Sequence, residues 1–123
     1  MKIFDKDGKY NFVDENNVFV GYDNGQSCCE NAGWFISTSV GGKEIDEQKI
    51  DFENYTFDVD FFVEVDDAIF DNRFYFDAGG CVAFRIVDNE NELFLHLYNC
   101  HNGYYGHGFK MNNGEKEIHY GCL

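Results

Sequence analysis

The sequence predicts an all-β or β-rich fold: antiparallel hairpins forming a sandwich or a curled roll, with at most one or two short helical turns. Three observations carry this. In the stretch Cys81 to Phe109, Val82, Phe84 and Ile86 alternate with Ala83, Arg85 and Val87, and Leu93, Leu95 and Leu97 alternate with Phe94, His96 and Tyr98. The polar run Asp88-Asn89-Glu90-Asn91-Glu92 separates them, and two runs of period two around a polar break form a β-hairpin. Second, Tyr55 to Val65 alternates over its whole length. Third, no segment sustains a period of 3.6, aromatic residues make up 19% of the chain, and the 13 glycines and absence of proline leave the turns to Gly, Asn and Asp.

Taken in order, Met1 to Val13 reads as a short hairpin turning at Asp5-Lys6-Asp7-Gly8, with Tyr10 and Phe12 alternating after it. Asp5 and Asp7 also look like the start of a calcium loop, but Tyr10 and Phe12 stand where further oxygen ligands belong, which favours a plain turn. Asp14-Glu15-Asn16-Asn17 is the next turn. Val18, Val20 and Tyr22 form a strand of period two. Asp23 to Gly33 is polar and accommodates one helical turn, with Ser27 as N-cap, Glu30 as its capping-box partner and Gly33 at the end. Trp34-Phe35-Ile36 is extended again, and Gly41-Gly42 turns.

Lys43 to Asn54 reads as either an edge strand or a loop, with Ile45 and Ile50 set among charges. In the strand Tyr55 to Val65, period two sends Tyr55, Phe57, Val59, Phe61, Val63 and Val65 one way. Thr56, Asp58, Asp60, Glu64 and Asp66 go the other, with Phe62 as the one apolar exception. Asp66 to Asn72 is a connection, Arg73 to Asp77 a short strand, and Gly79-Gly80 a turn into the central hairpin. Both faces of that hairpin are largely apolar, so it belongs at the centre of a sheet covered on both sides. Asn102-Gly103 turns, Tyr104-Tyr105 and Phe109-Lys110-Met111 extend, Asn112-Asn113-Gly114 turns, and Ile118, Tyr120 and Cys122 close the chain as a last strand.

The 123 residues suit one domain, residues 1–123, which would bury roughly two thirds of its unfolded surface. The net charge is −14, from 23 acidic and 9 basic residues. Such a field repels nucleic acid and anionic membrane and draws in basic partners, although it also serves solubility. The N-terminus lacks the apolar segment of a signal peptide, and no stretch approaches the roughly 20 apolar residues of a membrane span. A cytoplasmic protein with reduced thiols is therefore expected.

Tyr22-Asp23-Asn24-Gly25-Gln26-Ser27-Cys28-Cys29-Glu30, and Gly80-Cys81-Val82-Ala83-Phe84-Arg85-Ile86 leading to Asn102-Gly103-Tyr104-Tyr105-Gly106-His107-Gly108, form a recognisable pair of stretches. Together they resemble a family of small bacterial and phage domains of unknown function, similar in a Gln-x-Cys-Cys-Glu motif and a late Asn-Gly-Tyr-Tyr segment. The resemblance implies a β-rich fold and a phage or mobile-element context. It implies no reaction.

Two groups could carry chemistry. Cys28-Cys29-Glu30 would supply a nucleophile only if a base, a cation or a helix end lowered a thiol pKa, and the neighbouring Asp23 and Glu30 act in the opposite sense. Packing is the plainer role for adjacent cysteines, with metal binding next. His96, Cys100, His101 and His107 are zinc-type ligands. Residues four apart on a strand lie about 13 Å from each other, so His96 and Cys100 cannot share an ion within one strand. Cys100 with His101, completed by Cys28 and Cys29 across the fold, is the better set, and zinc is then the cofactor; otherwise none is expected. The glycines of Gly103-x-x-Gly106-x-Gly108 precede no helix, so no phosphate cradle forms there.

The acidic side chains Asp58, Asp60, Glu64, Asp66, Asp88, Glu90 and Glu92 are the candidate surface for a basic protein partner. One row of them spaces charge at about 6.8 Å, against about 1.7 Å per charge along duplex DNA, so imitation of a duplex would take several acidic edges. The expected function is that of a non-enzymatic acidic binding protein of phage or mobile-element type. Its specific form is an inhibitor of a basic, nucleic-acid-handling host defence protein, comparable to an anti-CRISPR. The alternatives are a metal- or thiol-dependent domain using Cys28, Cys29, Cys100 and His101, and a structural oligomer.

Overall fold

A computed structural model describes residues 1–25, 31–65, 80–100 and 106–123. Among the described residues nine strands run in chain order: β1 Lys2–Lys6, β2 Lys9–Val13, β3 Val18–Asp23, β4 Asn31–Ser37, β5 Thr56–Glu64, β6 Gly80–Val87, β7 Glu92–Cys100, β8 Gly108–Asn113 and β9 Lys116–Cys122. They form two antiparallel sheets, one five-stranded in the order β1-β2-β3-β8-β9 and one four-stranded in the order β4-β7-β6-β5. Phe12, Val20, Tyr22, Phe109 and Met111 of the first meet Ile36, Phe57, Phe84, Ile86, Leu95 and Leu97 of the second in one buried core. The fold is an all-β sandwich, as the alternation predicts. Among the described residues no helix is long and apolar enough to cross a membrane.

The first hairpin turns where the sequence places it. Asp7 and Gly8 both have positive φ, 57° and 75°, the pair that a two-residue loop needs to match the strand twist. The β6–β7 hairpin occupies the middle of its sheet, with Val82 opposite Leu97 and Phe84 opposite Leu95. Its inner face joins the main core. Its outer face carries Cys81 and Ala83 into a second buried cluster with Phe35 and Val65. Both faces are therefore covered, as two apolar rows require. Lys43 to Asn54 forms no strand: Ile45 bridges back to Ile36, and Asp46 caps a 3-10 turn at Glu47–Lys49.

β5 departs from the sequence reading. Phe57 pairs with Ile86 and Phe62 with Phe84, so five steps along β5 match two along β6. The three extra residues form a bulge, and an odd insertion reverses which face each later side chain takes. Phe57 and Phe62 both face the inter-sheet core, whereas Val63 and Val65 lie with the outer cluster. Phe61 meets Phe94 at 5.4 Å between ring centroids, on that same outer face. The apparent exception Phe62 is thus the inward residue after the bulge. It packs against Phe84 at 5.4 Å, Phe109 at 5.8 Å and His119 at 4.8 Å. The single-parity strand expected from Tyr55 to Val65 is corrected accordingly. The expected helical turn after Ser27, the connection Asp66 to Asn72, the strand Arg73 to Asp77 and the turn Asn102-Gly103 lie outside the described residues.

Candidate functional site

The acidic side chains gather at one end of the sandwich and along one sheet. At that end the β2–β3 turn is fastened by Asp14. Its buried carboxylate accepts the N–H groups of Asn16 and Val18 on Oδ1, each at 2.9 Å, and that of Phe57 on Oδ2 at 2.8 Å. One side chain thereby joins the turn of the five-stranded sheet to the start of β5 in the other. Asp51 holds the next loop by accepting from Glu53 N at 3.1 Å. Asp88 holds the β6–β7 turn by accepting from Glu90 N at 2.9 Å and Asn91 N at 2.6 Å, and these bonds keep its carboxyl below its ordinary pKa. The loops lie side by side. A hollow of about 600 Å³ separates Val13–Glu15 from Asp51–Glu53, with Lys2 and the Met1 ammonium, which donates to Phe52 O at 2.6 Å, also in its wall, and another of about 410 Å³ lies between Lys49–Asp51 and Asp88–Leu93. Glu15, Asp51, Glu53, Glu90 and Glu92 are exposed along these loops.

Charge divides between the sheets. The strands of the five-stranded sheet carry Lys2, Lys6, Lys9, Lys110 and Lys116 against Asp5, Asp23 and Glu117. Those of the four-stranded sheet carry Asp58, Asp60, Glu64 and Glu92 against Arg85 alone. Arg85 bridges Glu92 at 2.7 Å and Asp58 at 3.1 Å, and its pKa is raised by those hydrogen bonds, Glu92's foremost. Two of the carboxylates expected to meet a partner are therefore already engaged within the chain. Asp60, Glu64 and Glu90 are exposed, and their carboxylates have no ion-pair partner among the described residues. The bulge also separates the row that simple alternation predicts. Asp58 faces outward with Arg85, while Glu64, opposite Val82, turns to the inter-sheet side. Asp66 lies outside the described residues.

Of the expected zinc ligands, Cys28, Cys29 and His101 lie outside the described residues. Cys100 is half-buried at the end of β7, opposite Asn31. Among the described residues no three His, Cys, Asp or Glu side chains converge as a metal site. The ring of His96 is fully buried against Phe35, stacked at 4.3 Å. Gly41 N donates to its Nε2 at 2.9 Å, which places the ring proton on Nδ1, facing Phe94 O at 3.2 Å. His107 Nδ1 meets Asp23 O at 2.7 Å and His119 Nε2 meets Val59 O at 3.0 Å. These rings serve the backbone. Burial pushes the Cys81 thiol pKa well above its usual range, which keeps it protonated and a poor nucleophile.

Sequence reasoning missed Asp14 as an anchor and Arg85 as the hub of two ion pairs. The only local sign of the first was an Asp two residues before Asn16 in a turn. Nothing local marked the second, because Asp58 lies 27 positions from Arg85. Comparison with known proteins finds no matching family model, no matching curated protein and no matching solved structure.

Proposed function

We propose that this chain is a non-enzymatic binding protein that offers an acidic surface to a basic protein partner. The observation that carries the reading is the division of charge: the lysines of the strands sit on the five-stranded sheet, while the four-stranded sheet and the loops at Glu15, Asp51–Glu53 and Asp88–Glu92 are acidic. A segregated field of one sign steers an oppositely charged partner and fixes its orientation, which an evenly mixed surface does not. The Asx-type bonds of Asp51 and Asp88 hold their loops in fixed shapes, so the exposed Glu53 and Glu90 are presented with little ordering cost on association. In its specific form the partner is a nucleic-acid-handling host defence protein whose basic groove the acidic end would occupy. The test is capture of partners from host lysate at low and at high salt. The reading expects basic proteins that are held at low salt and released at high salt. Capture of nothing at any salt, or only of proteins indifferent to salt, contradicts it.

A further inference from the structure

The β5 bulge has a chemical consequence at the open side of the sandwich. Beyond it, Glu64 points between the sheets and lines a hollow of about 340 Å³, bounded by β5 and β6 on one side and by the edge strand β9 on the other. The walls include Phe62 and Phe109, whose ring centroids lie 5.8 Å apart with the planes inclined at 29°. The Phe109 ring lies against Gly121, where an added Cβ would come within 2.9 Å of it, so the close packing of this wall requires the glycine. Tyr120 stands at the mouth and is 71% exposed, an unusual position for a large aromatic residue. Glu64 is the one charged side chain among the described lining residues, and its carboxylate has neither an ion pair nor a hydrogen bond among the described residues.

We infer that this hollow receives a guanidinium group, an arginine side chain of the basic partner. The inference rests on the reading of the chain as an acidic binding protein and names what its partner inserts. A planar, weakly hydrated cation stacks on aromatic faces and takes a carboxylate edge-on through paired N–H donors, which a compact ammonium does not match. The hollow offers the Glu64 carboxylate and, at its mouth, the exposed ring of Tyr120, with no competing cation among its described lining residues. Arg85 cannot serve from within, since it lies on the outer face, bound to Glu92 and Asp58.

The test uses N-acetyl-arginine amide as probe, with N-acetyl-citrulline amide as its uncharged isostere, followed by amide chemical shifts of the intact protein. The arginine probe is expected to give saturable shifts confined to Val65, Val82, Gly121 and Cys122, and the citrulline probe none. The exposed Glu64→Gln variant, which keeps the shape, should weaken the probe about two- to fivefold. Tyr120→Ala, also exposed, should weaken it by a smaller factor. Equal shifts from both probes, shifts spread over the acidic end, or an unchanged response in Glu64→Gln overturn the proposal. Salt-sensitive capture of a basic partner with no probe response removes the hollow and leaves the broader reading. A Glu64-dependent probe response with no partner at any salt removes the broader reading and leaves a guanidinium site.

Discussion

Replacing Asp14 by alanine should be among the most damaging single changes in the molecule, and its cost can be worked from three bonds. The side chain is buried and accepts from Val18 and Phe57, both buried, and from the less buried Asn16. Alanine leaves two interior N–H groups without acceptors. At about 1–3 kcal/mol for each such group, the loss is between about 2 and 6 kcal/mol. Domains of this class have about 5–15 kcal/mol in total, so the variant should be close to unfolding. The Asp14→Asn variant keeps an oxygen for the turn but sets an NH₂ group against Phe57 N–H, one lost bond instead of three. That should cost about 1–3 kcal/mol. Urea unfolding followed by Trp34 fluorescence gives both values. Alanine within about 0.5 kcal/mol of the parent, as for an ordinary surface position, would refute the reasoning. So would asparagine as costly as alanine, because the losses would not then follow the bonds.

Other outcomes follow from the same geometry. Phe62→Ala removes a ring packed on Phe84, Phe109 and His119 and should cost about 3–5 kcal/mol by chemical denaturation. Asp88 has a folded pKa below its ordinary 3.8, so its contribution is complete above that value and is lost as pH falls through the folded pKa. Asp88→Asn should accordingly flatten part of the acid limb of a Tm-against-pH curve, and an unaltered limb would count against the turn bonds. In native protein treated with iodoacetamide at neutral pH, mass spectrometry should find exposed Cys122 alkylated well before buried Cys81, which should react only on unfolding.

The central hairpin was legible because its apolar side chains recur at every second position on both faces, a pattern only a covered sheet uses. Turns were legible where Asp-Gly or Asn-Gly supplied left-handed residues. The β5 bulge was not, because alternation within one strand gives a single parity and the register is set by the partner strand. Phe62, out of phase with its neighbours, was the visible trace of it. Lys43 to Asn54 stayed ambiguous because its organising contact, Ile45 with Ile36, is non-local. For the candidate site, net charge was legible and its placement was not. Asp58 and Glu64 look equivalent on a ruled strand, yet one is bound to Arg85 and the other faces the inter-sheet hollow.

The claim that position of charge, and not its total, makes the binding surface is tested most directly by two double variants of equal net charge. Glu53→Lys with Glu90→Lys alters the acidic end; Asp5→Lys with Glu117→Lys alters exposed positions of the five-stranded sheet. Measured against the captured basic partner at one fixed salt concentration, the first should lose about tenfold or more in affinity and the second about twofold or less. Equal losses in the two would contradict the account.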